Sequence, residues 1–355
     1  MNIGIIDADL LDGGTKHPNL ALMKISGYYK KFAKVTLLER YEDIPKYDKV
    51  FISKVFDFTE TPDLSIYDNV ELGGTGFFGM EAKSLPDEIE HHFPDYHLYD
   101  NYVQRKIAEG RRASYFGDYL NGSVGFLTRG CFRKCGFCVN RKYDKAFKHS
   151  DVTEFLDQSR RIIFLHDDNF LAYSGWKEEL DKLKATGKTI QFKQGLDIRL
   201  MTERKAKELS TLKVYNDWIF AFDSIKDKEL IESKLALWRK YCKRKTKLYI
   251  LVAYESQDEQ DIVNAFERII VLMKYQCTPY IMRYTEYENS KIRGMYINLA
   301  RWCNQPSMFK KKSFREFCMM GKENDSTMRY LKEFEKEYPE IAEKYFDIKY
   351  SEYNS

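Results

Sequence analysis

The stretch Thr128-Arg129-Gly130-Cys131-Phe132-Arg133-Lys134-Cys135-Gly136-Phe137-Cys138 sets three cysteines in C-x3-C-x2-C spacing. Three closely spaced thiolates can hold three irons of a [4Fe–4S] cube, because each iron takes one cysteine. The remaining cysteines, Cys242, Cys277, Cys303 and Cys318, are scattered along the chain. One iron of such a cube is then left open, and an open, reducible iron is a reactive site. Zinc is the competing reading. It asks for four N/S ligands, and the fourth would come from a distant residue such as His149, His166 or Cys303. A disulfide set is disfavoured by number, since three cysteines this close cannot all pair locally.

Working outward, the 355 residues are enough for two or three domains with a sizeable core. Hydrophobic content of 43% and charged content of 32% match a globular protein. No apolar run approaches the ~20 residues of a membrane helix. The start, Met1-Asn2-Ile3-Gly4-Ile5-Ile6-Asp7, lacks the basic region and long apolar stretch of a secretory signal and reads as a first strand. Thiols without framework spacing and an oxygen-sensitive cluster predict a reducing, cytoplasmic setting and no membrane partner.

Net charge is +4, unevenly spread. Residues 129–149 carry seven basic side chains against Asp144 alone, and residues 291–320 carry seven against Glu316 alone, so each segment is +6 and the rest of the chain is −8. The second segment interleaves Tyr296, Trp302, Phe309 and Phe314 with Arg301, Lys310, Lys311, Lys312 and Arg315. Clustered cations with aromatics suit nucleic acid or another anionic substrate. A solvated basic face, with the patch at Arg133 and Lys134 docking an acidic electron donor, is the alternative.

Short apolar runs at 3–6, 35–38 and 50–52 read as parallel strands, with a helical pattern at Leu20, Leu22, Met23 and Ile25 between the first two. Residues 1–100 are therefore expected to form a Rossmann-like, doubly wound α/β domain. The run Gly73-Gly74-Thr75-Gly76 reads as a tight turn. A polar connector covers 101–121. From there strands at 123–127, 162–165, 190–192, 218–222, 248–253 and 280–283 alternate with helices as far as residue 290. Ser174 is the expected cap of a helix ending at Gly187. The stripe Ile262, Phe266, Ile269, Ile270, Met273 reads as core. Residues 291–355 form a basic, aromatic, helical extension.

The cysteine spacing, with an aromatic residue before the last cysteine, resembles the signature of the radical S-adenosylmethionine (SAM) superfamily. Six strand–helix units with the cysteine loop after the first strand resemble that family's (β/α)6 partial TIM barrel. The resemblance implies Cys131, Cys135 and Cys138 as ligands of a [4Fe–4S] cluster, SAM on the open iron, and reductive cleavage to a 5′-deoxyadenosyl radical that acts on substrate. It implies that Phe137 flanks the adenine. It assigns the amino group of SAM to Asp168 and Asn169 in His166-Asp167-Asp168-Asn169-Phe170, where helix capping is the alternative. Gln194, Asp197 and Arg199 of Gln194-Gly195-Leu196-Asp197-Ile198-Arg199 are assigned near SAM, with a loop-orienting Asp197–Arg199 ion pair as the alternative. Asp223 and Ser224 are assigned to the ribose, Ser224 being equally a helix cap. A flavodoxin- or ferredoxin-like electron donor is implied as partner.

Residues 1–100 resemble the cobalamin-binding domain that precedes many such barrels, through Lys16-His17-Pro18-Asn19-Leu20 and Gly73 to Gly76. None of the six histidines falls in an Asp-x-His-x-x-Gly loop, so a degenerate domain without histidine-ligated cobalamin is expected. No catalytic residue is singled out; His166 beside two aspartates reads as structural. The substrate expectation is nucleic acid or a nucleotide. A peptide or small metabolite, or a non-enzymatic metal-stabilised nucleic-acid-binding module, are the alternatives.

Overall fold

The computed structural model describes residues 1–322 and 325–353. The chain divides into two compact units, Met1–Gln191 and Phe192–Ser355. No helix among the described residues is long and apolar enough to cross a membrane.

The first unit opens with β1 (Asn2–Asp7), β2 (Lys34–Leu37), β3 (Lys49–Ser53) and β4 (Val70–Gly73), in the order β2-β1-β3-β4 with every neighbour parallel. That order reverses between β1 and β3, the switch of a doubly wound sheet. Alternation along the strands feeds two cores. Ile3, Ile5 and Phe51 join one with Leu22, Met23 and Tyr99, while Ile6, Val50 and Ile52 join another with Leu38 and Ile44. Both faces are covered, so these strands read as apolar runs. Gly74 sits at φ +99°, and a Cβ there would lie 2.2 Å from the Lys54 carbonyl oxygen. The glycine run thus lets one backbone approach another, the turn role expected of it.

The same unit continues with β5 (Gly122–Gly125), the antiparallel pair β6 (Thr128–Arg129) and β7 (Phe147–Lys148), β8 (Ile162–Leu165) and β9 (Thr189–Phe192). β5 and β8 are parallel, and the sheet order is β5-β8-β9. Buried Arg160 joins this sheet to the segment before it. Its guanidinium donates to the carbonyls of Tyr119, Gly122 and Tyr96 and lies 4.4 Å from the Tyr96 ring centroid. Helix Trp176–Ala185 starts from Gly175 without a side-chain cap, so Ser174 is not its cap. Gly187 follows the helix at φ +67°, as a helix stop should.

In the second unit β10 (Trp218–Ala221), β11 (Thr246–Val252) and β12 (Thr278–Arg283) form a parallel sheet in sequence order. Helices Lys228–Tyr241 and Glu259–Lys274 connect them. β12 is an edge strand whose outward backbone groups are managed locally. Pro279 has no N–H to offer. Ile281 donates its N–H to Asn304 Oδ1 at 2.7 Å, and its carbonyl accepts from Asn304 Nδ2 at 3.1 Å.

The C-terminal helices close over an aromatic core, and here the sequence reading needs correcting. Trp302 is 1% exposed, and Phe309, Phe314 and Tyr296 are 0% exposed. Trp302 packs on Phe266, Phe309 and Phe314, and its Nε1 donates to the Lys312 carbonyl at 3.0 Å. These rings are the core of the extension and have no face left for a base. Arg315 is also committed, pairing with Glu335 and Asp347. Lys310 and Lys311 remain exposed.

Candidate cluster and cofactor site

The antiparallel pair β6–β7 closes the base of the cysteine loop, matching Thr128 to Lys148 and Arg129 to Phe147. Gly130 then turns the chain at φ +84°, where a Cβ would sit 2.3 Å from the Lys145 carbonyl oxygen. Only glycine fits that position without strain. Cys131, Cys135 and Cys138 follow, each half-buried and none in a disulfide. Two of the sulfurs accept amide hydrogens. Cys131 Sγ takes the N–H of Arg133 at 3.4 Å and Nδ2 of Asn169 at 3.2 Å, and Cys138 Sγ takes the N–H of Asn140 at 3.4 Å. Hydrogen bonds to cysteine sulfur are among the contacts that tune an iron–sulfur centre.

The loop after β8 supports this arrangement residue by residue. Asp167 is 3% exposed and accepts from the Leu127 N–H, the Thr128 N–H and the Thr128 hydroxyl. Burial pushes its carboxyl up to about 6 against the pull of those donors. Asp168 takes the Gly130 N–H on Oδ2 and Asn140 Nδ2 on Oδ1, both at 2.6 Å, with Arg129 Nε 3.5 Å away. It therefore holds both ends of the cysteine segment. Asn169 is 3% exposed; its amide nitrogen faces Cys131, and its carbonyl oxygen is buried with no hydrogen-bond partner among the described residues. An orphaned acceptor next to a cysteine sulfur is a vacancy for a donor.

Among the described residues, no three His, Cys, Asp or Glu side chains converge tightly enough to hold one metal ion. Zinc demands such convergence. A cube does not, because each thiolate binds a different iron. The residues weighed as a fourth ligand are otherwise engaged. His149 contacts Ser150 Oγ and Glu90, and Cys303 is fully buried, which pushes its thiol well up. The backbone N–H of His166 donates to the Gly125 carbonyl, and its ring lies 6.0 Å from that of Phe126. Three cysteines on one loop are the donor set a [4Fe–4S] cube would take, one thiolate per iron. Phe137 is half-buried on the loop.

The other expected site residues lie in the second unit. Gln194 is exposed in the turn after β9. Arg199 forms a double clamp: Nε to Asp197 Oδ1 and Nη1 to Asp227 Oδ2, both at 2.7 Å. Burial works against its charge, but the two carboxylates hold it firmly protonated. The ion-pair alternative for Asp197 and Arg199 is thus present. Asp223 is half-buried, and desolvation pushes its carboxyl up to about 6 against Arg268 and Arg199. Ser224 caps the turn Ile225–Asp227 by accepting from Lys226 N–H, and its hydroxyl donates to Glu255 at 2.7 Å.

Sequence reasoning missed Asn140 and Arg268. Arg268 is 2% exposed and donates to the carbonyls of Phe222, Asp223 and Leu251, fixing the carboxyl ends of β10 and β11. An arginine inside an apolar helical stripe was the available signal.

No protein-family model matches the chain, and no curated protein sequence matches it. Solved structures do. The radical S-adenosylmethionine methyltransferase TsrM from Kitasatospora setae, with cobalamin and a [4Fe–4S] cluster bound, shares 12% identity at a TM-score of 0.50, over 79% of this chain and 74% of that one. The same enzyme with tryptophan substrate and the SAM analogue aza-SAM shares 12% identity at 0.51, over 79% and 72%. At that identity the likeness is one of fold, and it covers the parallel α/β architecture described above.

Proposed function

We propose that the chain is a radical SAM enzyme, on the basis of its radical SAM-type fold with a cobalamin-binding-like domain. The observation that carries the proposal is Asn169, whose amide reaches Cys131 while its buried carbonyl oxygen lacks a donor among the described residues. In this reading Cys131, Cys135 and Cys138 hold a [4Fe–4S] cluster, and Asn169 Oδ1 accepts from the amino group of SAM. Held by these residues, the cluster would supply, once reduced by an external one-electron donor, reductive cleavage of SAM into methionine and a 5′-deoxyadenosyl radical. The protein's own contribution is placement. Asp168 holds the ends of the cysteine loop, Asp167 holds the strand leading into it, and the amides of Arg133 and Asn140 stabilise thiolate charge. Phe137 is proposed for the adenine. For Asp197 and Arg199 the proposed role is to shape the turn after β9 as an ion pair rather than to clasp the SAM carboxylate. The N-terminal domain enters as scaffold, and no step is assigned to a corrinoid.

The test is anaerobic reconstitution with iron and sulfide, followed by reduction in the presence of SAM. The wild-type protein should bind about four irons per chain and release 5′-deoxyadenosine. Cys135→Ala should lose that release. Stoichiometric zinc after anaerobic isolation and reconstitution, with no 5′-deoxyadenosine, would sink the proposal.

A further inference from the structure

Edge strand β12 packs against helix Arg293–Cys303, and beside them lies a cavity of about 400 Å3 lined by Arg283, Ile297, Ala300, Arg301 and Asn304. Small-ligand sites span roughly 300–1,000 Å3, so the space exceeds what a lone inorganic anion needs. The lining has two guanidinium groups, an apolar floor of Ile297 and Ala300, and no carboxylate. Asn304 is already committed to the backbone of Ile281.

The state of the two arginines decides what the cavity can take. Arg283 Nη1 donates to the Tyr287 hydroxyl at 2.8 Å, and its guanidinium lies 4.4 Å from that ring's centroid. Arg301 Nη1 donates to Thr327 Oγ1 at 3.0 Å. Both contacts are with neutral groups, so they orient the guanidinium without cancelling its charge. Among the described residues neither arginine makes an ion pair, whereas Arg199 and Arg315 each hold two carboxylates. Helix Arg293–Cys303 contains no acidic residue, and Arg293, Ile297 and Arg301 recur at four-residue spacing along one face. A guanidinium offers five donors in a planar fork suited to phosphate, and here most of both forks are unused. Two oriented cations with no ion-pair partner among the described residues, beside the apolar side chains of Ile297 and Ala300, match an anion carried on a larger, partly apolar body.

We propose that this cavity binds a phosphate ester, with the phosphate between Arg283 and Arg301 and the attached nucleoside against Ile297 and Ala300. The ester is either a free nucleotide or one linkage of a single strand. The proposal names a ligand class for the second unit and does not depend on the cluster reading, because binding is measurable without radical chemistry.

The test uses the full-length protein and two probes at low salt: adenosine 5′-monophosphate by calorimetry, and a fluorescein-labelled oligothymidylate by anisotropy. At least one probe should bind. Arg283→Gln and Arg301→Gln should each weaken it about tenfold or more, as expected for a charged hydrogen-bonding partner. Arg283→Lys, which keeps charge and loses the fork, should recover part of the affinity and guards against a folding artefact. For a strand, the slope of log Kd against log salt should fall by about 0.7 with each arginine removed. Binding of the mononucleotide alone would identify a nucleotide site. Three results would overturn the proposal: no binding of either probe, equal competition by succinate, or a Lys310→Ala/Lys311→Ala variant that loses as much affinity as the arginine variants.

Discussion

Asp167 and Asp168 are neighbours with the same side chain and opposite surroundings. Asp167 is buried on the amides of Leu127 and Thr128, while Asp168 reaches forward to Gly130 and Asn140. Both carboxylates accept hydrogen bonds from the cysteine segment or the strand before it, whereas the Asn169 carbonyl oxygen has no donor among the described residues. Asn169→Ala should therefore weaken SAM binding by about 1–3 kcal/mol, the usual cost of removing one hydrogen-bonding partner, with iron content retained. Asp168→Ala should instead lower iron content. Calorimetry with SAM and iron analysis on both variants separate the roles, and an unchanged SAM affinity in Asn169→Ala would refute this division. The cysteine loop was legible in the sequence because its spacing is local. The Asp168–Asn140 bond was not, because it joins residues 28 apart in sequence through side chains that pattern alone does not orient. Arg199 shows the same limit: Asp197 is two positions away and was foreseen as its partner, whereas Asp227, 28 positions away, was not.

At the scale of elements, the strands were readable from apolar runs, since β1, β3, β8 and β10 are buried along most of their length. The aromatic extension was misread because Trp, Phe and Tyr serve a core and a nucleic-acid surface equally well in sequence. Burial of Trp302 and Phe309 against Phe266 and Phe314 decides for the core. Edge strand β12 is protected by Pro279 and by a single side chain, Asn304. Asn304→Ala would leave the N–H and carbonyl of buried Ile281 without these partners. A loss of about 1–3 kcal/mol per unsatisfied group is the expected scale, together with greater aggregation through the freed edge. Denaturant unfolding and light scattering report the two effects; a variant as stable and as monodisperse as wild type would show that β12 does not need the cap.

For the molecule as a whole, burial of acidic groups sets the pH response. Asp7 is 1% exposed at the end of β1, and burial pushes its carboxyl from 3.8 up to about 7 despite the Tyr99 hydroxyl donating to it. Asp167 and Asp223 are pushed up to about 6. A group raised on folding favours the folded state at pH below its unfolded value, and that advantage is lost as pH rises through the folded value. These three therefore cost stability progressively between about pH 4 and 7. Glu90 acts oppositely. Burial opposes its charge, but His149 and Lys24 outweigh that and hold it down to about 2, so its contribution is lost only as pH falls from 4.5 towards 2. Asp7→Asn should raise the thermal midpoint at pH 8, with the gain shrinking by pH 5; a gain that does not vary with pH would show that Asp7 is not the titrating group. The tie from Gly130 through Asp168 to Asn140 has a consequence for repair. It closes residues 130–140 into a ring through protein atoms alone, so part of the entropy of closing that loop would be met before the proposed cluster binds. On the proposed cluster reading, a chain bleached by air should accept ferrous iron and sulfide again without passing through an unfolded state, and iron regained per chain should be lower in Asp168→Ala. Under the proposed function, damage by oxygen would empty the receptacle but leave it standing for the next delivery.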